Sequence, residues 1–331
     1  MKDVVQNSCD IAVIGAGPAG IAAADTFQEA GYDCLLFDAG CLAQNIARFP
    51  IYMEFFSTAD LLELRGYPLI CASAKPSRRE YLQYLARFCR ERRLKLRPFE
   101  PVDSITRTEN GFLVHSTTKG DDRRYETDAR FVVIATGAYD TPNFLNCPGE
   151  DLPKVSHYFT EVHPYVGSRM LVIGGGNSAC EAALLLLRAG VDVTLVLRNN
   201  KFGFVKYWVL PDIENRIKEG IITAYFETTV EEIRPGSVVL RSRKEKRVFE
   251  IENDFVLALT GYQPNMEFLQ RCGVEVDKVS KRPRYNPATF ETNVPGLFVC
   301  GVIAAGNISA EIFIENSRTH GEQILKALKG R

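Results

Sequence analysis

Two glycine-rich turns, Gly15-Ala-Gly-Pro-Ala-Gly20 and Gly174-Gly-Gly-Asn-Ser-Ala179, are the residues of this chain whose types and spacing most directly carry chemistry. G-x-G-x-x-G/A suits a pyrophosphate. The first glycine permits a tight turn, the second lets the backbone approach the phosphates, and the third closes a helix onto its strand. Gly15, Gly17 and Gly20 hold these places in the first turn, with Pro18 and Ala19 between them; Gly174, Gly176 and Ala179 hold them in the second, with Gly175, Asn177 and Ser178. The unpaired N–H groups of the helix beyond each turn would face the phosphates. Two such turns imply two dinucleotides.

The residues downstream of each turn separate the two ligands. Asp38 stands eighteen residues past Gly20, at the end of the next apolar run, placed to accept from a ribose 2′-hydroxyl. The matching position after the second turn is Leu197, succeeded by Arg198, with Lys201 and Lys206 beyond. A carboxylate repels a 2′-phosphate, whereas an arginine pairs with it bidentately, so the second site is expected to prefer NADPH through Arg198 and Lys201.

The elements that must position these residues read as two copies of one unit. Ile11–Ile14 is a buried parallel strand, residues 21–24 begin a small-residue helix that Gly31 ends, and Cys34–Phe37 is a second strand. At a constant offset come a strand at residues 169–173, a helix over Cys180–Arg188 ended by Gly190, and a strand over Val193–Leu197. Apolar strands turning at Ala135-Thr-Gly137 and Leu259-Thr-Gly261 read as the crossings where one dinucleotide domain is left and re-entered. The expected fold is α/β, with two Rossmann-like three-layer domains of the FAD/NAD(P)-binding kind. Residues 1–140 and 262–331 form the first, and residues 141–261 form the NADPH domain inserted into it. Ser77-Arg-Arg-Glu80 is a capping box opening a helix with Tyr81, Tyr84, Leu85 and Phe88 on one face. Arg123–Asp128 reads as a polar link in a small meander. The last helix is expected over about 310–328, and its N-terminal partial charge would favour a reduced flavin placed beside it.

Composition narrows the function. Forty Lys+Arg against 41 Asp+Glu give a net charge of −1, without the basic surplus of a nucleic-acid binder. No apolar run approaches the ~20 residues of a membrane helix. The first ten residues lack an apolar signal core, and nine cysteines read as reduced thiols, so a cytoplasmic location is expected. No two cysteines have C-x-x-C or C-x-x-x-x-C spacing, which argues against a dithiol relay within one chain. Cys34, Cys180 and Cys300 read as buried inert thiols, and Cys41, in the loop toward Gln44, is the one to watch. The four histidines lack metal-ligand spacing, so no metal is expected. His320 reads as a surface-helix histidine in preference to a proton donor. The aromatic run Phe49–Phe56 is core or pocket lining. Lys75, Arg78, Arg79, Arg87, Arg90, Arg92 and Arg93 form a basic region that suits an anionic substrate or simply a solvated helix face.

The order of motifs resembles the thioredoxin-reductase-like class of two-dinucleotide flavoproteins over essentially the whole chain. The closer resemblance is to the bacillithiol-disulfide reductase family, carried by Arg48-Phe-Pro-Ile-Tyr-Met-Glu-Phe-Phe-Ser-Thr58, Pro148-Gly-Glu-Asp-Leu-Pro-Lys-Val-Ser-His-Tyr158, Lys206-Tyr-Trp-Val-Leu-Pro-Asp212 and Glu311-Ile-Phe-Ile-Glu-Asn-Ser-Arg-Thr-His-Gly321. The resemblance implies FAD at the first turn, with contacts from Gly15, Gly17, Gly20, Asp38, Gln44, Thr136, Gly137 and Gly301. It implies NADPH at the second, with contacts from Gly174 to Ser178 and from Arg198. It implies hydride transfer from NADPH to FAD and on to a low-molecular-weight, bacillithiol-type disulfide, and a homodimer or higher homo-oligomer. Two positions depart from the patterns: Gly301-Val302 stands where the wider class has Gly-Asp, and Ala19 where the closer family usually carries a cysteine. The departure at Ala19 keeps two other readings open, a reductase of a small protein electron carrier of the ferredoxin or flavodoxin type, and a redox-sensing flavoprotein with little turnover. The catalytic residues are not read from the sequence.

Overall fold

The computed structural model of the protein describes residues 4–308 and 311–330. The chain divides into two compact units, Met1–Ala47 with Tyr52–Thr141 and Gln263–Arg331, and Arg48–Ile51 with Pro142–Tyr262.

The first unit is built on a seven-stranded sheet. Its order is Lys95–Arg97, Cys34–Phe37, Val5–Ile14, Arg124–Ile134, Phe112–Thr117, Val102–Arg107, and Leu297–Val299 also pairs with Arg124–Ile134. The first strand lies parallel to Cys34–Phe37, with Ile11 opposite Cys34 and Ile14 opposite Phe37, and parallel to Arg124–Ile134 on its other side. Ile11, Ala12 and Val13 are fully buried, as befits a strand covered on both faces. The helix Pro18–Glu29 comes next, with every residue from Gly20 to Phe27 buried. It packs against the C-terminal helix His320–Lys329. A Cβ on Gly321 would stand 2.6 Å from the Ala23 Cα, so small residues on both sides set that close approach.

The strand Arg124–Ile134 forks. Its first half pairs antiparallel with Phe112–Thr117 and its second half parallel with Leu297–Val299. The polar segment read as a link over Arg123–Asp128 is therefore strand from Arg124 onward. The alternation that marks it is Thr127 and Ala129 turned into the core between exposed neighbours. The capping box at Ser77 is present: its hydroxyl accepts from the Glu80 N–H, and the Glu80 side chain accepts from the Ser77 N–H. The helix it opens, Arg78–Glu91, buries Tyr81, Tyr84, Leu85 and Phe88.

The last helix differs from its sequence reading. Residues 309 and 310 lie outside the described residues; beyond them a short helix, Ile314–Ser317, stops before a separate helix, His320–Lys329. The helix that continues to the C-terminal end therefore starts at His320, ten residues later than expected, with Arg318 and Thr319 between it and the short helix.

The second unit has a five-stranded sheet, all parallel, in the order Thr223–Tyr225, Asp192–Val196, Arg169–Ile173, Phe255–Ala258, Val155–Ser156. A three-stranded antiparallel sheet, Thr228–Ile233, Ser237–Ser242 and Arg247–Glu252, accompanies it. The helix Asn177–Arg188 starts at the second glycine turn and buries Ala179, Cys180, Ala182, Ala183, Leu184 and Leu186. Among the described residues no helix is long and apolar enough to cross a membrane, and no group of three or more His, Cys, Asp or Glu residues could hold a metal.

Candidate functional site

Both glycine turns have the geometry that phosphate binding requires. Gly15 and Gly174 sit at φ of +113° and +144°, where a side chain is strained, and a Cβ on either would collide with the carbonyl oxygen of Ala135 or Leu259. A Cβ on Gly20 would run into the Gly15 carbonyl oxygen, which is the close helix–strand contact expected of the third glycine. Gly17 and Gly176, by contrast, have nothing within 4 Å of an added Cβ. The space in front of each is open to a ligand. Each is also the N-cap of its helix, and neither helix has a side-chain cap, so the first N–H groups of both helices are left for an external acceptor. Pro18, at the first helical position, has no N–H to present, which leaves Ala19 and Gly20 as donors there.

The first unit gathers its sequence-read residues around its turn. Asp38 ends the strand Cys34–Phe37; its Oδ2 accepts from the Ala16 N–H at 2.9 Å and its Oδ1 from the Gly40 N–H at 2.9 Å. The carboxylate thus braces the glycine turn, and because a carboxylate oxygen accepts more than one hydrogen bond, it can serve a ribose hydroxyl as well. Gln44 Oε1 accepts from the Cys41 N–H at 2.9 Å, so its side chain shapes this loop. The Ala43 N–H donates to the Ala16 carbonyl at 3.0 Å and closes the loop onto the turn. Thr136 and Gly137 come just after the strand Arg124–Ile134, and Gly301 just after Leu297–Val299. A Cβ on Gly301 would lie 2.9 Å from the Ala19 Cβ, so the last strand delivers its loop directly against the first turn.

Asn45 has no motif to announce it in the sequence, yet the structure brings it here. Its Nδ2 would lie 3.2 Å from a Cβ on Gly137. Asn45 Oδ1 and Thr136 Oγ1 are both buried without a hydrogen-bond partner among the described residues. Two orphaned polar oxygens beside an open glycine turn fit a polar ligand such as FAD, whose ring N–H and ribityl hydroxyls can satisfy them.

His320 also differs from its sequence reading. It is 6% exposed, its ring stacks on Phe290 at 4.0 Å between centroids, and its Nδ1 accepts from the Gly301 N–H at 3.2 Å. Burial lowers its pKa to about 4, so the ring is neutral and holds the Gly301 peptide as an acceptor. It is neither a surface residue nor a charged proton donor at neutral pH.

The thiols remain apart. All nine cysteines are free. Burial raises Cys9, Cys89, Cys180 and Cys300 to about 12 and Cys272 to about 11, with Cys34 also pushed up by burial. Cys300, the thiol next to Gly301, donates weakly to the Ala19 carbonyl at 3.7 Å and is fully buried. Cys41 is half-buried. Of the aromatic run, Phe55 is core, packed edge-on to Tyr81, whereas Ile51, Tyr52 and Phe56 are exposed. In the basic region, Arg78 donates to the Ile46 and Ala47 carbonyls and Arg92 faces the buried Asp25 at 3.7 Å, so these two serve the fold. Arg79, Arg87, Arg90 and Arg93 lie at the surface.

In the second unit Leu197 occupies the place of Asp38, and its Cδ2 would lie 2.8 Å from a Cβ on Gly175. The Gly203 N–H donates to the Gly175 carbonyl at 2.8 Å, closing this loop onto its turn. Arg198, Asn199 and Lys201 are exposed just beyond. Asn177 Oδ1 accepts from the Lys206 N–H at 3.2 Å, and the Lys206 ammonium is taken up by Glu181 at 2.9 Å. Of the cations that the sequence singles out after the second turn, Arg198 and Lys201 are therefore exposed, whereas Lys206 is engaged by Glu181.

A profile described as pyridine nucleotide-disulphide oxidoreductase matches residues 12–301. Bacilliredoxin reductase Bdr of Bacillus subtilis (strain 168) is 42% identical over 320 residues, covering 96% of this chain and 97% of that protein. The structure titled bacillithiol disulfide reductase Bdr (YpdA) from Bacillus cereus superposes with a TM-score of 0.95 at 37% identity, covering 98% of this chain and 100% of that one. Its Staphylococcus aureus counterpart superposes with a TM-score of 0.91 at 35% identity, covering 98% and 99%.

Proposed function

Because the chain belongs to the pyridine nucleotide-disulphide oxidoreductase family, and is a flavoprotein reductase working with FAD and NADPH, we propose that its electron acceptor is a low-molecular-weight disulfide of the bacillithiol type. The observation that carries this reading is the whole-chain likeness to the two solved bacillithiol disulfide reductases. FAD and NADPH, when bound, would supply hydride transfer from nicotinamide to flavin and the electron pair for a disulfide.

The chain's own residues bind and orient. In the first unit the N–H groups of Ala19 and Gly20 face the FAD pyrophosphate, Asp38 accepts from the adenosine ribose, and Gln44 fixes the loop beside it. Asn45 and Thr136 take the polar edge of the flavin or its ribityl chain, and Gly137 and Gly301 leave room for it. His320 holds the Gly301 peptide in place. In the second unit Gly174, Gly175, Gly176, Asn177 and Ser178 cradle the NADPH pyrophosphate, and Arg198 with Lys201 meets the 2′-phosphate. With Ala19 in the turn and the neighbouring Cys300 held protonated, neither position offers a thiolate to the electron path, and the half-buried Cys41 in the loop after Asp38 is the thiol left to test.

A cytoplasmic location and a homodimer or higher homo-oligomer complete the proposal; fractionation and light scattering test them. The acceptor is tested by following NADPH oxidation under anaerobic conditions with bacillithiol disulfide, ferredoxin or flavodoxin supplied in turn. Faster turnover with the disulfide is expected. Turnover with a protein carrier alone would assign the chain to carrier reduction, and a flavin that NADPH does not bleach would leave it a sensor.

A further inference from the structure

The arginines of the second unit fall into two groups. Arg169, Arg188, Arg216, Arg234, Arg241 and Arg247 each face a carboxylate. Arg48 lies over the Tyr158 ring at 5.5 Å. Arg198 and Arg243 alone have no anionic or aromatic partner among the described residues, and they are next to each other. The Arg243 guanidinium donates to the Arg198 carbonyl oxygen.

That juxtaposition is built into the backbone. Thr228 N–H donates to the Leu197 carbonyl at 2.9 Å and Glu227 N–H to the Asn199 carbonyl at 3.1 Å, so the loop carrying Arg198 is laced to the start of the strand Thr228–Ile233. Arg243 N–H in turn donates to the Glu227 carbonyl at 2.9 Å, where the hairpin between Ser237–Ser242 and Arg247–Glu252 begins. Two chain segments far apart in sequence are tied at one point, which puts the Arg243 guanidinium against the backbone from which the exposed Arg198 side chain springs. Glu245, the acid closest in sequence to Arg243, is engaged by Arg247.

Two arginines without carboxylate partners, springing from backbones laced together, raise the local positive potential. A dianion within reach of both side chains would be held by that potential. One N–H of Arg243 is committed to the Arg198 carbonyl; the other donors of its planar fork are free for an oxyanion. We propose that Arg243 is a second specificity-determining residue, meeting the 2′-phosphate of NADPH together with Arg198. The inference rests on the NADPH reading of the second turn and extends it to the hairpin, a part of the unit that carries no nucleotide motif.

The test is calorimetric titration of the FAD-loaded protein with 2′,5′-ADP, NADP⁺ and NAD⁺. Arg243→Gln removes the charge and, being shorter, the reach to the Arg198 carbonyl, so the readout that a merely structural arginine would not move is a loss confined to ligands that carry the 2′-phosphate. The expected result is about a tenfold weakening toward 2′,5′-ADP and NADP⁺, the scale of one charge-assisted contact. NAD⁺ affinity and melting temperature should stay unchanged, and Arg243→Lys should recover part of the loss. Unchanged 2′,5′-ADP binding in Arg243→Gln, alongside a loss in Arg198→Ala, would overturn the role of Arg243 and leave the NADPH reading intact. Equal binding of NAD⁺ and NADP⁺ by the unmutated protein would overturn the reading on which the inference stands.

Discussion

The two glycine turns share one backbone device and finish it with opposite chemistry. In the first, the residue ending the second strand is Asp38, whose carboxylate accepts from Ala16 and Gly40. In the second it is Leu197, which reaches the same place by packing its methyl against Gly175. The loops close alike, through Ala43 onto Ala16 and through Gly203 onto Gly175. A polar brace carries a negative charge into the first site and suits a ribose diol. An apolar brace keeps acid out of the second, where Arg198 and Arg243 stand without carboxylate partners among the described residues. The glycines decide that a dinucleotide binds; the brace decides which one.

Copying the second ending onto the first should have the largest effect. Asp38→Leu removes the acceptor of two backbone N–H groups, at about 1–3 kcal/mol for each left unpaired, and the ribose contact with them. The expected product is a nearly colourless protein of lower melting temperature, measured by flavin absorbance per chain and a thermal melt. Full retention of FAD would show that the brace is not what distinguishes the sites.

Adding a methyl at the open glycine of either turn should separate the two ligands. Nothing stands within 4 Å of a Cβ at Gly17 or Gly176, so alanine fits the protein and meets only the bound phosphates. Gly17→Ala should lose FAD while the apoprotein melts normally. Gly176→Ala should keep FAD and weaken NADPH about tenfold to a hundredfold, from roughly 1–3 kcal/mol of overpacking. Arg198→Ala should act on the same scale but only on the 2′-phosphate, erasing the preference for NADPH over NADH in stopped-flow bleaching of the flavin.

The paired turns were legible in the sequence because each residue of the device is constrained by its neighbours within some thirty positions, and the period repeats. The strands came with it, with Cys34–Phe37 at its expected bounds, although the first begins at Val5 and not at Ile11 and the strand before Arg198 is Asp192–Val196. What was not legible depends on segments meeting from far away. Asn45 lies in a loop with no periodicity and matters because Thr136 and Gly137 arrive beside it. Arg243 sits in a charged hairpin turn with no periodicity, and matters because the loop carrying Arg198 arrives beside it. His320 sits in an amphipathic pattern that looks like one surface helix; a break at Arg318–Thr319 and the Phe290 ring put it inside. Tertiary contact overrode local pattern in all three cases.

His320 marks a further asymmetry, because it serves the first turn, whereas the second turn closes through backbone and leucine contacts. Its pKa falls from 6.5 to about 4 on folding, so the unfolded chain binds more protons between those values. Stability is fully present above about pH 6.5 and is lost as pH falls toward 4, by up to a few kcal/mol. His320→Gln keeps a side-chain acceptor for the Gly301 N–H without this titration. Its melting temperature should therefore fall less than that of the unmutated protein on acidification through this window. Parallel losses in the two proteins would assign the acid sensitivity to other groups.

The smallest expected effect is also the one that bears on electron delivery, since it adds a single sulfur atom to the first turn. A thiolate against an oxidised flavin absorbs at long wavelength. The unmutated protein has Ala19 in the turn, and the neighbouring Cys300 is held as a thiol with its pKa at about 12 by complete burial. Anaerobic titration with NADPH should therefore bleach the flavin without a long-wavelength band. Disulfide turnover should be slow and oxygen a strong competitor, because no thiolate is poised to receive the electron pair. Ala19→Cys places sulfur at the first free N–H of the helix, where the helix terminus favours the thiolate. The variant should show the band, with a modest rise in disulfide turnover and unchanged NADPH affinity, since the second turn is untouched. A band in the unmutated protein that persists after NADP⁺ is removed and vanishes on alkylation of Cys41 would show that the first turn recruits its thiol from the loop after Asp38.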